Sequence, residues 1–196
     1  MEYTNEAVRR QDRLLDNERA YALLKEGEYG VLSMTDEAGK AAYGIPINYV
    51  WDGKDAIYLH CAPQGRKLRC IAAHPEVSFC VVGATHVVSN KFTTAYESIV
   101  LDCQARIGLE AEERKHALLL LLQKYSPNDT TVGLKYAEKS FHRTEIIKLE
   151  IRRFSGKCKQ VPMHRFDHSY LLQEHGPDLP QYQRLFQRQG QISGHY

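Results

Sequence analysis

Residues 29–62 read YGVLSMTDEAGKAAYGIPINYVWDGKDAIYLHCA, and their punctuation decides the fold. YGVLSMT is short and β-branched at its centre, DEAGK supplies turn residues, and AAYGIPINYVW resumes an apolar run. That is the grammar of a β-hairpin. Asp52-Gly53 breaks the chain again before IYLHCA, so the sequence predicts three strands following one another as a meander.

Working outward, Asn17 is placed to cap a helix in which Ala20, Leu23 and Leu24 share a face and Gly27 ends the run. Residues 1–16 are polar and charged, with only Val8, Leu14 and Leu15 buriable, and read as a flexible arm or a short helix. After PQG, the segment RKLRCIAAHP predicts a short helix with Leu68, Ile71 and Ala72 on one face and Pro75 as its stop. EVSFCVVG reads as a strand, HVVSNKFTTA as a loop, and YESIVLDCQARIG as a strand burying Glu97, Ile99, Leu101, Cys103, Ala105 and Ile107. A helix over 110–125 opens on acidic residues and closes at Ser126-Pro127, and TEIIKLEIRRF alternates as a last strand. Antiparallel sheet dominates and nothing alternates as βαβ. The expected organisation is an arm (1–16), one domain (17–165) and a glutamine-rich tail (166–196) that packs on a partner or frays.

Composition narrows the function classes. At 196 residues and 43% apolar content the chain can bury one full core. A net charge of +2 is too small for a nucleic-acid surface, and no apolar run approaches the ~20 residues of a membrane span. The N-terminus lacks the apolar core of a signal peptide, so the expected location is the cytoplasm, with no membrane partner. Five cysteines, Cys61, Cys70, Cys80, Cys103 and Cys158, form no C-x-x-C pair and read as reduced, mostly buried thiols; the tail histidines His164, His168, His175 and His195 follow no zinc spacing, and no metal site is expected.

Two segments carry chemistry. HCAPQGRKL (60–68) runs from a strand through a glycine turn into a helix N-terminus, where free backbone N–H groups, Arg66 and Lys67 converge. Such a terminus suits a phosphate, and Gly65 lets the backbone approach it closely; a solvated Arg-Lys pair in a first helical turn is the alternative. In GIPINYVW (44–51), Pro46 lacks the ladder N–H, which demands an edge strand or a bulge. That leaves backbone groups for a flat heteroaromatic ring, with the Asn48 amide able to donate and accept; the alternative is an edge proline that blocks aggregation. His60 has a side chain suited to proton transfer near neutral pH, and Cys61, alternating with it, should face the other way. The leucines of 117–122 read as core or dimer packing.

These segments resemble the pyridoxamine 5'-phosphate oxidase-like FMN-binding split barrels, and within them the branch named for nitroimidazole resistance. The resemblance rests on EGEYGVLSM (26–34), GIPINYVWDG (44–53), IYLHCAPQGRKLRCI (57–71), PEVSFCVVG (75–83), KFTTAYESIV (91–100) and KYSP (124–127), in the family's order. It implies a mainly antiparallel, six-stranded α+β split barrel that forms a homodimer with FMN at the shared seam. Carried over, Gly65, Arg66 and Lys67 would hold the phosphate, and Pro46, Ile47, Asn48 and Tyr49 would line the isoalloxazine. His60, Cys61 and Ala62 would lie near the ring, with His60 as the catalytic proton donor. Tyr96, Glu97 and Ser98 would stand at the seam. The activity implied is an oxidoreductase passing electrons through flavin to a small acceptor such as a nitro-aromatic. Haem-binding relatives supply a second reading, a non-catalytic flavin- or haem-binding protein with the tail histidines as a ligand source.

Overall fold

The computed structural model describes residues 1–162, so the tail expected from Phe166 and the end of the domain at 165 lie outside the described residues. In chain order the elements are β1 (Glu2–Tyr3), α1 (Asn17–Glu26), β2 (Tyr29–Thr35), β3 (Ala42–Asn48), β4 (Val50–Trp51), β5 (Ala56–Cys61) and α2 (Arg66–Ala73), followed by β6 (Glu76–Val88), β7 (Thr93–Arg106), α3 (Ala111–Tyr125), α4 (Thr130–Ser140) and β8 (Glu145–Lys159). The strands join in the order β3-β2-β6-β7-β8-β5-β4, and β1 adds in parallel to β8. Six strands are long, as expected, and β1 and β4 are two-residue additions. The sheet is mainly antiparallel with several helices, the expected α+β class. Among the described residues no helix is long and apolar enough to cross a membrane.

The three-strand meander holds only for its first hairpin. β2 pairs with β3 from Tyr29↔Asn48 to Thr35↔Ala42, but β5 pairs with β8 and β4, far along the sheet order from β3. The cause is Tyr49, where the run expected as one strand splits. Its N–H donates to the Tyr125 hydroxyl at 3.0 Å, and its carbonyl accepts from that hydroxyl at 2.6 Å and from Lys124 Nζ at 2.9 Å. With both backbone groups taken by α3, Tyr49 cannot continue the ladder, and the chain changes strand partner there.

Other differences have equally local causes. Asp16, one residue before the expected cap, accepts from the Arg19 N–H at 2.8 Å and so starts α1. The expected loop 86–95 is mostly strand, because Val87, Val88, Thr93 and Thr94 are β-branched, leaving the turn to Ser89–Lys91 and Phe92. The arm is not free: Glu2 and Tyr3 pair with Arg153 and Phe154, Leu14 bridges Lys157, and Val8 and Leu15 are buried. Only Cys70 and Cys103 of the five free thiols are buried; Cys61, Cys80 and Cys158 are half-buried.

The described chain divides into two compact units. The first, Met1–Gly83 with Glu97–Cys158, holds the main core, built from Ala20, Leu23 and Leu24 of α1, Leu68 and Ile71 of α2 and the inner faces of the strands. A smaller cluster of Val50, Tyr58, Ala117, Leu121 and Ile146 seats α3 on β4 and β5. The second unit, Ala84–Tyr96 with the chain from Lys159, is the tip of the β6–β7 hairpin, where Lys91 donates to the Pro162 carbonyl and Lys159 to the Thr93 hydroxyl.

Candidate functional site

The turn 62–65 delivers α2 with its first N–H groups open. Gly65, the N-cap residue, has φ +144°, a conformation that side chains resist. Among the described residues no side chain caps the helix, and no acidic residue lies in its first turn. The orphan donors and the positive end of the helix dipole therefore have no occupant from their own cap, which is the donor set a phosphate needs. Arg66 is exposed, its guanidinium 4.1 Å from the centre of the Tyr43 ring on β3, and Lys67 is half-buried. Arg69 is already taken by Glu37 at 2.8 Å. Two cations thus stand beside open N–H groups, with one of them tied to the start of β3.

β3 is an edge strand among the described residues, consistent with Pro46, since there it pairs with β2 alone. Gly44, Pro46 and Asn48 point outward, while Tyr43, Ile45 and Ile47 pack against the core. Ile47 is half-buried, and so only its backbone edge is open to a ring. The Asn48 amide donates to the Glu28 carbonyl at 3.0 Å, keeping its oxygen free of that bond. Tyr49 departs from expectation: its side chain is fully buried and its hydroxyl donates to the Leu24 carbonyl at 2.7 Å, which removes it from any ligand surface.

Asn48 and His60 meet in one cleft of about 600 Å³ in the first unit, roofed by α3 and α4. Leu118, Leu121 and Leu122 form one wall, so the leucine run is more than core. Val132 and Tyr136 of α4 form the outer wall. At Gly133 a Cβ would lie 2.5 Å from Leu122 Cδ2, so glycine is what brings the two helices this close. His60 is exposed as a residue, yet burial desolvates its ring enough to lower its pKa below the ordinary 6.5. The neutral form of the ring offers one N–H donor and one acceptor nitrogen to whatever enters the cleft. Cys61 packs toward the main core, on the opposite side as expected, and burial raises its thiol pKa; Ala62 is exposed in the turn.

A stability consequence follows from the sign of the His60 shift. Above pH 6.5 the ring is neutral in folded and unfolded chains alike. Below it the unfolded chain binds the proton first, so the protein loses stability as the pH falls through 6.5 towards the lowered folded value. The His60 ring resonances should titrate with a midpoint below 6.5 in NMR spectra, and His60→Ala should lose less stability than the native chain between pH 7.5 and 5.5, two values chosen to bracket the ordinary histidine range. A midpoint at or above 6.5 would contradict the desolvated placement.

The YES segment is divided. The Glu97 carboxylate is 12% exposed and receives the Arg19 guanidinium at 2.9 Å (Nε to Oε2) and 2.5 Å (Nη2 to Oε1). It lies against Gly83, where a Cβ would be 2.5 Å from Oε1. This ties Glu97 to α1 of its own chain. Ser98 is half-buried on the opposite face of β7, and Tyr96, in the second unit, is half-buried. The residues that sequence reasoning missed are those of α4, whose TTVGLKYAEKS carries a glycine and two leading β-branched threonines and hides its helical period.

A family model described as pyridoxamine 5'-phosphate oxidase matches residues 16–158. Among curated proteins none matches. Among solved structures, a candidate 5-nitroimidazole antibiotic resistance protein from Bacteroides thetaiotaomicron is 18% identical with a TM-score of 0.60, covering 74% of this chain and 86% of its own. An FAD and haem binding protein from Mycobacterium smegmatis is 16% identical with a TM-score of 0.60, covering 89% and 96%. An FAD-binding protein from Mesorhizobium loti is 19% identical with a TM-score of 0.54, covering 76% and 98%. At these identities the likeness establishes a shared fold.

Proposed function

The chain belongs to the pyridoxamine 5'-phosphate oxidase family, and from that membership and the open α2 terminus we propose that it is an FMN-binding oxidoreductase, working as a cytoplasmic homodimer. The observation that carries the reading is the N-terminus at Gly65, which no described side chain caps and whose first turn holds no acidic residue, with Arg66 and Lys67 beside it. Its donors match a phosphate monoester, which a flavin mononucleotide brings and an unphosphorylated flavin does not. The exposed edge of β3, from Pro46 to Asn48, would receive the ring's polar rim through backbone groups and the Asn48 amide. Bound FMN would supply the electron-transferring ring, taking electrons from an external donor and giving them to a small acceptor, a nitro-aromatic being one such compound. His60, unprotonated in its cleft, would accept a hydrogen bond from the substrate or hold it in place.

Pairing with a second copy is supported by the outer face of β2, β6 and β7. Tyr29 (59% exposed), Val31 (36%), Val82 (56%) and Val100 (42%) stand there open to solvent. Val31 lies opposite Pro46 on one side and Cys80 on the other, so an apolar row runs from the proposed ring edge across three strands. Such a patch is what an isologous interface covers.

The cleft favours one further reading. A histidine facing leucine walls would also suit a haem, which His60 would help hold, making the protein a flavin- or haem-binding carrier. The visible spectrum of the purified protein decides between them. Flavin bands that bleach when NADH or NADPH is added support the oxidoreductase; a Soret band supports the carrier. A protein that takes up neither FMN nor haem when they are supplied refutes both.

A further inference from the structure

We propose that Lys124, which opens the KYSP segment at the end of α3, is a fixed positive charge that sets how readily a flavin at the β3 edge is reduced. The inference rests on the reading of Pro46 to Asn48 as the edge that receives the ring. It gives a task to a half-buried lysine that neither the phosphate turn nor the cleft uses.

The ammonium is held at one point. Lys124 Nζ donates to the Gly27 carbonyl at 2.6 Å and to the Tyr49 carbonyl at 2.9 Å. It also stands 4.0 Å from the centre of the Tyr49 ring and 5.4 Å from that of Tyr125. Tyr125 closes this cage from the next position in the chain. Its hydroxyl lies 2.5 Å from the Glu28 carbonyl oxygen, 2.6 Å from the Tyr49 carbonyl oxygen and 3.0 Å from the Tyr49 nitrogen. The Asn48 amide donates to the same Glu28 carbonyl, so the cage and the proposed ring edge share an acceptor. The charge is thus bonded one residue from Asn48 along the backbone and linked to it again through Tyr125 and Glu28.

Holding a charge there works against hydration. The carbonyls of Gly27 and Tyr49 would be satisfied equally by a neutral donor. Lys124 instead brings an ammonium whose pKa burial lowers to about 8, opposed in part by the Glu28 carboxylate. A cation with little water around it acts more strongly on its neighbours than one in bulk solvent. Burial raises the hydroxyl pKa values of Tyr49 and Tyr125, so both stay neutral where Lys124 titrates. Oxidised FMN takes up two electrons and one proton to reach its anionic reduced form, and so gains one negative charge. A cation fixed behind the ring's edge favours that product, and the anion in turn offsets the desolvation of the ammonium.

The test is the reduction potential of the full chain loaded with FMN, read from the flavin spectrum during reduction by dithionite in the presence of a reference dye. Lys124→Gln keeps a hydrogen-bond donor and Lys124→Met keeps the length. At about pH 7 each should favour the oxidised flavin about tenfold relative to the native chain, which is about 30 mV for a two-electron couple. Lys124→Arg, which keeps the charge, should recover most of the difference. At about pH 9.5, where the native lysine has lost its proton, the difference should shrink to about twofold or less. The native chain gives a reading that needs no variant. Just above pH 8 its reduction takes up a second proton, at Lys124, so the potential should fall more steeply with pH there. A lysine that only braces the bend at Tyr49 would lower the melting temperature of the neutral variants and leave the potential unchanged. That result in variants whose circular dichroism is native, or a native potential with no steepening above pH 8, overturns the inference and leaves the flavin reading standing. A native chain that takes up no FMN sinks the flavin reading and this inference with it.

Discussion

Replacing Arg66 and Lys67 together with alanine is expected to strip FMN from the protein while leaving the fold intact. Neither side chain belongs to the core: Arg66 is exposed with its guanidinium over Tyr43, and Lys67 is half-buried at the start of α2. Losing the stacking contact at an exposed site costs about 0.5–1 kcal/mol, too little to unfold a domain. Each charge-assisted contact to a phosphate is worth roughly 1.5–3 kcal/mol, so removing two should weaken FMN at least tens of times. Fluorescence titration of FMN measures this, and an unchanged far-ultraviolet circular dichroism spectrum checks the fold. An unaltered affinity would place the phosphate elsewhere.

Glu97→Gln should do the opposite, lowering stability sharply with little effect on flavin per folded molecule. Arg19 is 16% exposed and reaches Glu97 through two nitrogens, and that pairing holds the guanidinium pKa above its ordinary value. Removing one partner of a mostly buried ion pair strands the other charge, at a cost of about 3 kcal/mol or more; Glu26, 3.0 Å from Arg19 Nη1 but 59% exposed, recovers only part. Chemical denaturation should show this loss. The double variant Arg19→Met with Glu97→Met should regain most of it, because two apolar side chains leave no stranded charge. A Glu97→Gln protein of native stability that no longer binds FMN would instead return Glu97 to the cofactor site.

These two expectations divide residues that sequence alone placed together. The Gly65 turn was legible because its chemistry is local: a glycine, two cations and a helix start are adjacent in the chain, and the structure brings them together as written. Pro46 was legible for the same reason, since a missing N–H forces an edge strand wherever the chain goes. Tyr49 and Glu97 were not, because their roles depend on Tyr125, Lys124 and Arg19, which are 75 to 78 residues away. Alternation did bury Glu97 with Ile99 and Leu101, but it could not show which cation waits beneath. The change of strand partner at Tyr49, which turns an apparent meander into two separate hairpins, is also a long-range effect. So is α4, whose place over the cleft depends on Gly133 meeting Leu122.

The central claim, that FMN is held at the α2 terminus in a dimer of this chain, is tested most directly by native mass spectrometry of the full chain after saturation with FMN and removal of the excess. The expected mass is that of two chains with two FMN molecules, falling to two chains alone for Arg66→Ala with Lys67→Ala. A single chain that retains FMN, or a flavin-bearing complex whose FMN survives the double substitution, would contradict the account.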